Sequence, residues 1–361
     1  MTKPVRVLIV DDSAVIRQLL STLLSADPEI EVVGTAGDPF IARERIKALN
    51  PDVVTLDVEM PNMDGVTFLR KIMTLRPMPV IMISTLTQAG AETTLEALEI
   101  GAVDFVAKPT TDVANALAGL AGELQAKVKS AAHARVGVHR PVERRPRPAR
   151  PHHSAGRIIA IGASTGGVEA LKVVLMDLPE DTPPVLITQH MPPRFTFAFA
   201  ERLNRECPMT ISEARHDDLV EPGHVYIAPG SHHLELVRSG GQYRCSLSEG
   251  PPVSGHRPSV DVLFRSVARV AGAAAVGAIL TGMGKDGAEG LLEMRNAGAI
   301  TLGQNEASSL IYGMPKVAFE RGGVMHQHSL TDIAGAILDA CHTGETREPH
   351  RPHVAAAVRA S

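Results

Sequence analysis

At 361 residues, with 44% hydrophobic and 21% charged residues and a formal net charge of −4, the chain has a globular composition and room for two domains of ordinary size. So small a net charge excludes a global pull toward nucleic acid or anionic membrane. With no Trp, three Tyr and eight Phe, the chain is poor in aromatic platforms for single-stranded nucleic acid.

The opening MTKPVRVLIVDD reads as a first strand rather than a signal peptide. The longest apolar run, residues 270–280, is far below the roughly 18–20 residues of a bilayer span. Cys207, Cys245 and Cys341 form no CxxC pair and read as reduced thiols. The expectation is a cytoplasmic protein with no membrane insertion.

In chain order, strands are predicted at VRVLIV, EVVGTA, DVVTLDV, PVIMIS and DFVAKP. Helical patterns over Ala14–Ala26, Phe40–Leu49, Gly65–Leu75 and Ala91–Ile100 separate them, and Asp112–Ser130 closes the series. This alternation predicts a flavodoxin-like doubly wound parallel α/β sheet over residues 1–130. Residues 131–155 then carry RVGVHRPVERRPRPARPHHSA, whose prolines and six arginines against one glutamate predict an exposed linker.

From Arg157 a second doubly wound α/β pattern with a mostly parallel sheet is predicted over 156–345. Its strands are RIIAIGAS, PVLITQH, HVYIAP, HHLELV, AAVGAILTG and AITLGQ, with helices over Gly167–Met176, Thr196–Arg205, Val260–Val270, Gly287–Asn296 and Leu330–Ala340. Residues 346–361 read as a disordered tail.

Loops at the carboxyl ends of parallel strands form the binding crevice of such sheets. In the first domain those positions hold Asp11, Asp12, Asp57, Ser84 and Lys108. Converging carboxylates repel unless a hard divalent cation or an ammonium compensates, which suits Mg²⁺ and Lys108. Asp57 is then the best nucleophile toward a phosphoryl donor, with Ser84 or Thr85 bonding the new oxygens. The bland alternative makes the aspartates helix caps and turn starters.

The segments VLIVDDS, LDVEMPNMDG, IMIS and AKP resemble the response-regulator receiver family. That resemblance implies phosphorylation of Asp57 by a histidine kinase, Glu59 as a metal ligand through its carbonyl, and Phe105 as a switch aromatic.

In the second domain Ser164 lies in GASTGG, between an apolar strand and a helix, in the context of a nucleophile elbow. His190 and Asp286 also follow apolar runs, so a parallel sheet would bring nucleophile, base and orienting carboxylate to one edge. Backbone amides of Gly282–Gly284 and Thr165 are candidates for the oxyanion hole, Met283 foremost. Asp261 is a competing carboxylate, and His326 with His328 could suggest a metal pair.

Together, GASTGG, TQHMPP, HRPSVDVLF, LTGMGKDG and YGMPK look like the chemotaxis protein-glutamate methylesterase/glutamine deamidase (CheB) family. The resemblance implies Ser164, His190 and Asp286 as triad, with methyl-accepting chemotaxis receptors as substrate and a chemotaxis histidine kinase as phosphodonor. The remaining expectations are Mg²⁺ in the receiver, no cofactor for the esterase, no nucleic-acid partner, and a monomer, although the sequence does not settle oligomeric state. A receiver with a DNA-binding output and a non-catalytic adaptor are the alternatives.

Overall fold

The computed structural model describes residues 3–61, 63–85, 87–108, 113–137 and 156–342. The predicted tail, 346–361, and most of the predicted linker, 138–155, lie outside the described residues.

The first sheet is built from β1 (Val5–Val10), β2 (Ile30–Ala36), β3 (Val53–Asp57), β4 (Val80–Ser84) and β5 (Asp104–Ala107), in the order β2-β1-β3-β4-β5 with every pair parallel. Five helices cover it: α1 (Ala14–Ser25), α2 (Pro39–Leu49), α3 (Gly65–Leu75), α4 (Gln88–Ile100) and α5 (Val113–Ala131). The aliphatic runs of β3 and β4 are buried along their whole length, as strands covered on both faces must be. The helices start where the chain supplies oxygen caps: Ser13, Asp38, Asp64 and Thr87 each accept from a first-turn N–H.

The second domain follows with β6 (Ile158–Ala163), α6 (Gly167–Met176), β7 (Val185–Gln189), α7 (Phe195–Glu206), β8 (Thr210–Glu213), β9 (His224–Ile227), β10 (His233–Ser239) and β11 (Gln242–Ser248). It continues with α8 (Val260–Val270), β12 (Ala275–Ile279), α9 (Ala288–Asn296), β13 (Ile300–Gln304), α10 (Met314–Glu320), β14 (His326–His328) and α11 (Leu330–His342). Seven strands form one parallel sheet in the order β14-β13-β12-β6-β7-β9-β8. The chain leaves β6 toward β7 on one side and returns as β12 on the other. A crevice therefore opens at the carboxyl ends of β6, β7 and β12. The predicted strand HHLELV is not part of this sheet; as β10 it pairs antiparallel with β11 in a separate hairpin packed on α8.

The two domains touch. Phe105 of β5 stacks on Phe195 of α7 with ring centroids 4.5 Å apart, and Asp104 accepts a hydrogen bond from Thr165 Oγ1. Glu99 of α4 accepts from Lys172 of α6 at 2.8 Å and pairs with Arg202 of α7. The first residues of the predicted linker are also engaged: Arg135 pairs with Glu306 at 3.0 Å.

Candidate active site and phosphoacceptor site

Asp11 directly follows β1 and Asp57 ends the adjacent strand β3, where the strand order of the first sheet reverses. Ligand oxygens of Asp11, Asp12 and Asp57 all lie within 4.8 Å of one another. Lys108 Nζ sits 2.8 Å from Asp57 Oδ2 and 3.3 Å from Asp11 Oδ2.

One ammonium does not balance three carboxylates. Burial pushes the Asp57 carboxyl up to about 6 in spite of Lys108, and the Asp11 charge adds to the rise. An oxygen-only, charge-deficient set of this kind fits Mg²⁺. Asp11, Asp12 and Asp57 would hold the ion, whose charge would offset that of the carboxylates and of an incoming phosphoryl group.

The start of α3 is pressed against this site. A Cβ on Gly65 would fall 1.9 Å from the Asp57 carbonyl oxygen, so only glycine fits there. Glu59 donates its backbone N–H to Asp57 Oδ1 at 3.2 Å. Ser84 faces α4: its Oγ accepts from Thr94 Oγ1 at 2.6 Å and donates to the Gly90 carbonyl at 3.3 Å. Phe105 is buried against Phe195, with Lys127 Nζ 5.2 Å from its ring centroid. Of the switch candidates, Ser84 ends β4, the strand beside β3, and Phe105 lies in the next strand, β5, against the other domain.

In the second domain Ser164 follows β6, and Gly166 (φ 77°) takes the left-handed conformation that turns the chain into α6. His190 follows β7, and its Nε2 lies 2.7 Å from Asp286 Oδ2. Asp286 in turn accepts from Ser259 Oγ (2.8 Å), Val260 N (2.7 Å) and Asp261 N (3.2 Å), the last two at the N-terminus of α8. Burial alone would raise its pKa, but His190 and these donors pull it down to about 2.

Asp261 does not compete for the histidine. Its Oδ1 accepts from Gly290 N at 2.8 Å and its Oδ2 from Ser254 Oγ at 3.3 Å, which makes it a brace beside Asp286. Burial raises its pKa.

Ser164, Thr165, His190, Asp104 and Phe105 line one cavity of about 100 Å³ between the domains. His190 Nδ1 is buried and has no hydrogen-bond partner among the described residues. The Ser164–His190 bond is therefore open, a common state before substrate binds. The N–H groups of Thr165 and Met283 donate to no described residue. A Cβ on Gly282 would lie 2.8 Å from the Ser164 Cβ, so the loop that carries Met283 approaches the serine closely.

The CheB methylesterase family model matches residues 159–337, and the response regulator receiver domain model matches residues 7–117. A protein-glutamate methylesterase/protein-glutamine glutaminase 1 of Caulobacter vibrioides is 60% identical over 340 residues, covering 93% of this chain and 97% of the relative. A protein-glutamate methylesterase/protein-glutamine glutaminase 2 of Xanthomonas oryzae is 56% identical over 346 residues, with the same two coverages. The chain belongs to the CheB family.

The crystal structure of the Thermotoga maritima CheB methylesterase catalytic domain superimposes with a TM-score of 0.50 at 34% identity. It covers 51% of this CheB-family chain and 98% of its own.

Several functional contacts of this CheB-family chain were missed by sequence reasoning. His256 stacks face to face on His190, with centroids 3.7 Å apart and planes 12° apart. Ser259 holds Asp286, and Asp104 holds Thr165. Gln189 Nε2 ties the carbonyls of Ser164 (3.0 Å) and His190 (3.2 Å) together. The only signal was position, since HRPSVD contains His256 and Ser259, and DFVAKP opens with Asp104. His326 and His328 lie with rings 6.4 Å apart. Among the described residues they join no group of three metal-binding side chains, so nothing supports a metal pair there.

No helix among the described residues is long and apolar enough to cross a membrane.

Proposed function

We propose that the chain is a phosphorylation-activated, cytoplasmic hydrolase that cleaves glutamate 5-methyl esters on chemotaxis receptors and deamidates receptor glutamines. The observation that carries this reading is that His190, 2.7 Å from Asp286, lines one cavity with Ser164 and with Asp104 and Phe105 of the receiver.

Asp286 accepts the Nε2–H of His190, which leaves Nδ1 as the basic atom. Ser164 Oγ attacks the ester carbonyl as His190 Nδ1 takes its proton. The developing oxyanion is met by the N–H groups of Thr165 and Met283, each worth about 3 kcal/mol. His190 returns the proton to departing methanol, and water then releases the receptor carboxylate by the same steps in reverse. With a glutamine substrate the leaving group is ammonia.

In the unmodified state the receiver covers this cavity. A chemotaxis histidine kinase is the phosphodonor for Asp57, and its phosphorylation shifts Ser84 and Phe105. The stack of Phe105 on Phe195 is then lost and the receptor helix gains access. Activation of ten- to a hundredfold needs only about 1.4–2.8 kcal/mol of differential stability. The reading requires neither nucleic acid nor a second copy of the chain.

The pH–rate profile tests the assignment of the base. His190 is faced by Asp286 and His256. Burial, the His190 charge and, more distantly, Lys127 of the receiver bring the His256 pKa down to about 4, while Asp286 is held near 2. Above pH 5, therefore, neither neighbour changes charge. Basal kcat/KM, measured without phosphodonor so that the Asp57 carboxyl, pushed up to about 6, does not enter, is expected to rise with pH along a single-proton limb, because only a neutral imidazole can take the proton of Ser164. A profile flat from pH 5 to 8 would remove His190 as base.

A further inference from the structure

The contact between His190 and Asp286 is a single hydrogen bond at one edge of the imidazole. One such bond does not by itself fix the ring plane, and the Ser164 bond that would help to fix it is not made. The catalytic competence of Nδ1 depends on where that ring plane points. The flat face of His256, at 3.7 Å and 12°, is the contact that resists rotation of that plane.

The loop between β11 and α8 is built to present that face. Ser254 (φ 53°) and Gly255 (φ 83°) both take left-handed backbone conformations, and Val253 and His256 exchange backbone hydrogen bonds of 3.0 and 2.9 Å across the resulting turn. Arg257 Nη1 pins the loop to the carbonyls of Glu249 (3.0 Å) and Gly250 (3.1 Å). Ser254 Oγ reaches Asp261, and Ser259 N donates to His233 Nδ1 at 3.2 Å. Asp261 and Ser259 are the same residues that brace Asp286. One loop therefore holds both the carboxylate that grips the edge of His190 and the ring that covers its face.

We propose that His256 is a positioning residue for ester hydrolysis: its stacked ring fixes the plane of His190 so that Nδ1 stays aimed at Ser164. This rests on the assignment of Ser164 and His190 above. The role needs a flat, uncharged ring, and burial keeps His256 neutral through the working pH range. A charged ring there would oppose the imidazolium that forms as Ser164 attacks.

The test uses the full-length chain with a small phosphodonor and Mg²⁺, measuring methanol release from methylated receptor membranes. The variants are His256→Ala, His256→Leu and His256→Phe, beside Ser164→Ala, and the melting temperature of each is recorded. His256→Ala is expected to lower kcat about tenfold or more while KM stays within about twofold. Phe, which keeps the flat face, is expected to restore kcat to within about threefold, and Leu, which fills volume without a face, to remain low.

Wild-type kcat in His256→Ala overturns the proposal. So does a Phe variant as slow as Ala, which would assign the role to the ring nitrogens, or a Leu variant as fast as Phe, which would reduce it to filling space. If His256→Ala does not fold, the comparison of Phe with Leu decides. Activity surviving in Ser164→Ala would instead sink the underlying reading, whatever the His256 variants do.

Discussion

Asp286→Asn is expected to lower kcat for ester hydrolysis on the order of 10⁴-fold with little change in fold. The carboxylate accepts from three donors besides His190, all from the Ser259–Asp261 turn. An amide at this position would direct N–H groups at some of those donors and could turn an N–H toward Nε2. The histidine would then hold its proton on Nδ1, the atom that must be free to accept the proton of Ser164. The imidazolium would also lose the charge that stabilises it. The check is kcat against KM on methylated receptors together with a melting curve. A variant within tenfold of wild type would show that Asp286 is only the cap of α8.

The second large effect lies at the domain contact. Glu99 on α4 faces two cations of the other domain, Lys172 at 2.8 Å and Arg202, and Glu206 completes the cluster 2.5 Å from Lys172. Glu99→Lys would place three cations together in a partly buried seam, where repulsion is weakly screened. The docked state should lose at least about 1.4 kcal/mol, and methanol release without phosphodonor should rise about tenfold or more. Donor and Mg²⁺ should then add little. Unchanged basal release with normal donor stimulation would mean that this seam does not hold the receiver over Ser164.

Much of the fold was written in the chain because parallel strands covered on both faces need unbroken aliphatic runs. VVTLD and VIMIS are buried from end to end, and their boundaries could be read to within a residue or two. The same logic singled out the candidate site residues: Asp57, Ser164 and His190 stand out because each ends or follows such a run. Elements without that signature were missed. The strand β14 is only His-Gln-His at a sheet edge, and α10 starts on Met-Pro in a short, glycine-flanked segment.

Contacts between distant segments were also invisible, since no local period encodes them. Thr165 and Asp104 are 61 residues apart, and Arg202 and Glu99 are 103 apart. The edge of His190 that meets Asp286, and the ring that covers its face, depend on the conformation of a loop from another part of the chain. The arginine-rich segment, read as a solvated spacer, starts with Arg135 bound to Glu306.

The most direct test of the account is methanol release from methylated chemoreceptor membranes by wild type and Ser164→Ala, each with and without a small phosphodonor and Mg²⁺. The account predicts wild-type release that rises about ten- to a hundredfold with the donor and disappears in the Ser164 variant under both conditions. Release that survives in Ser164→Ala, or wild-type release indifferent to the donor, would contradict it.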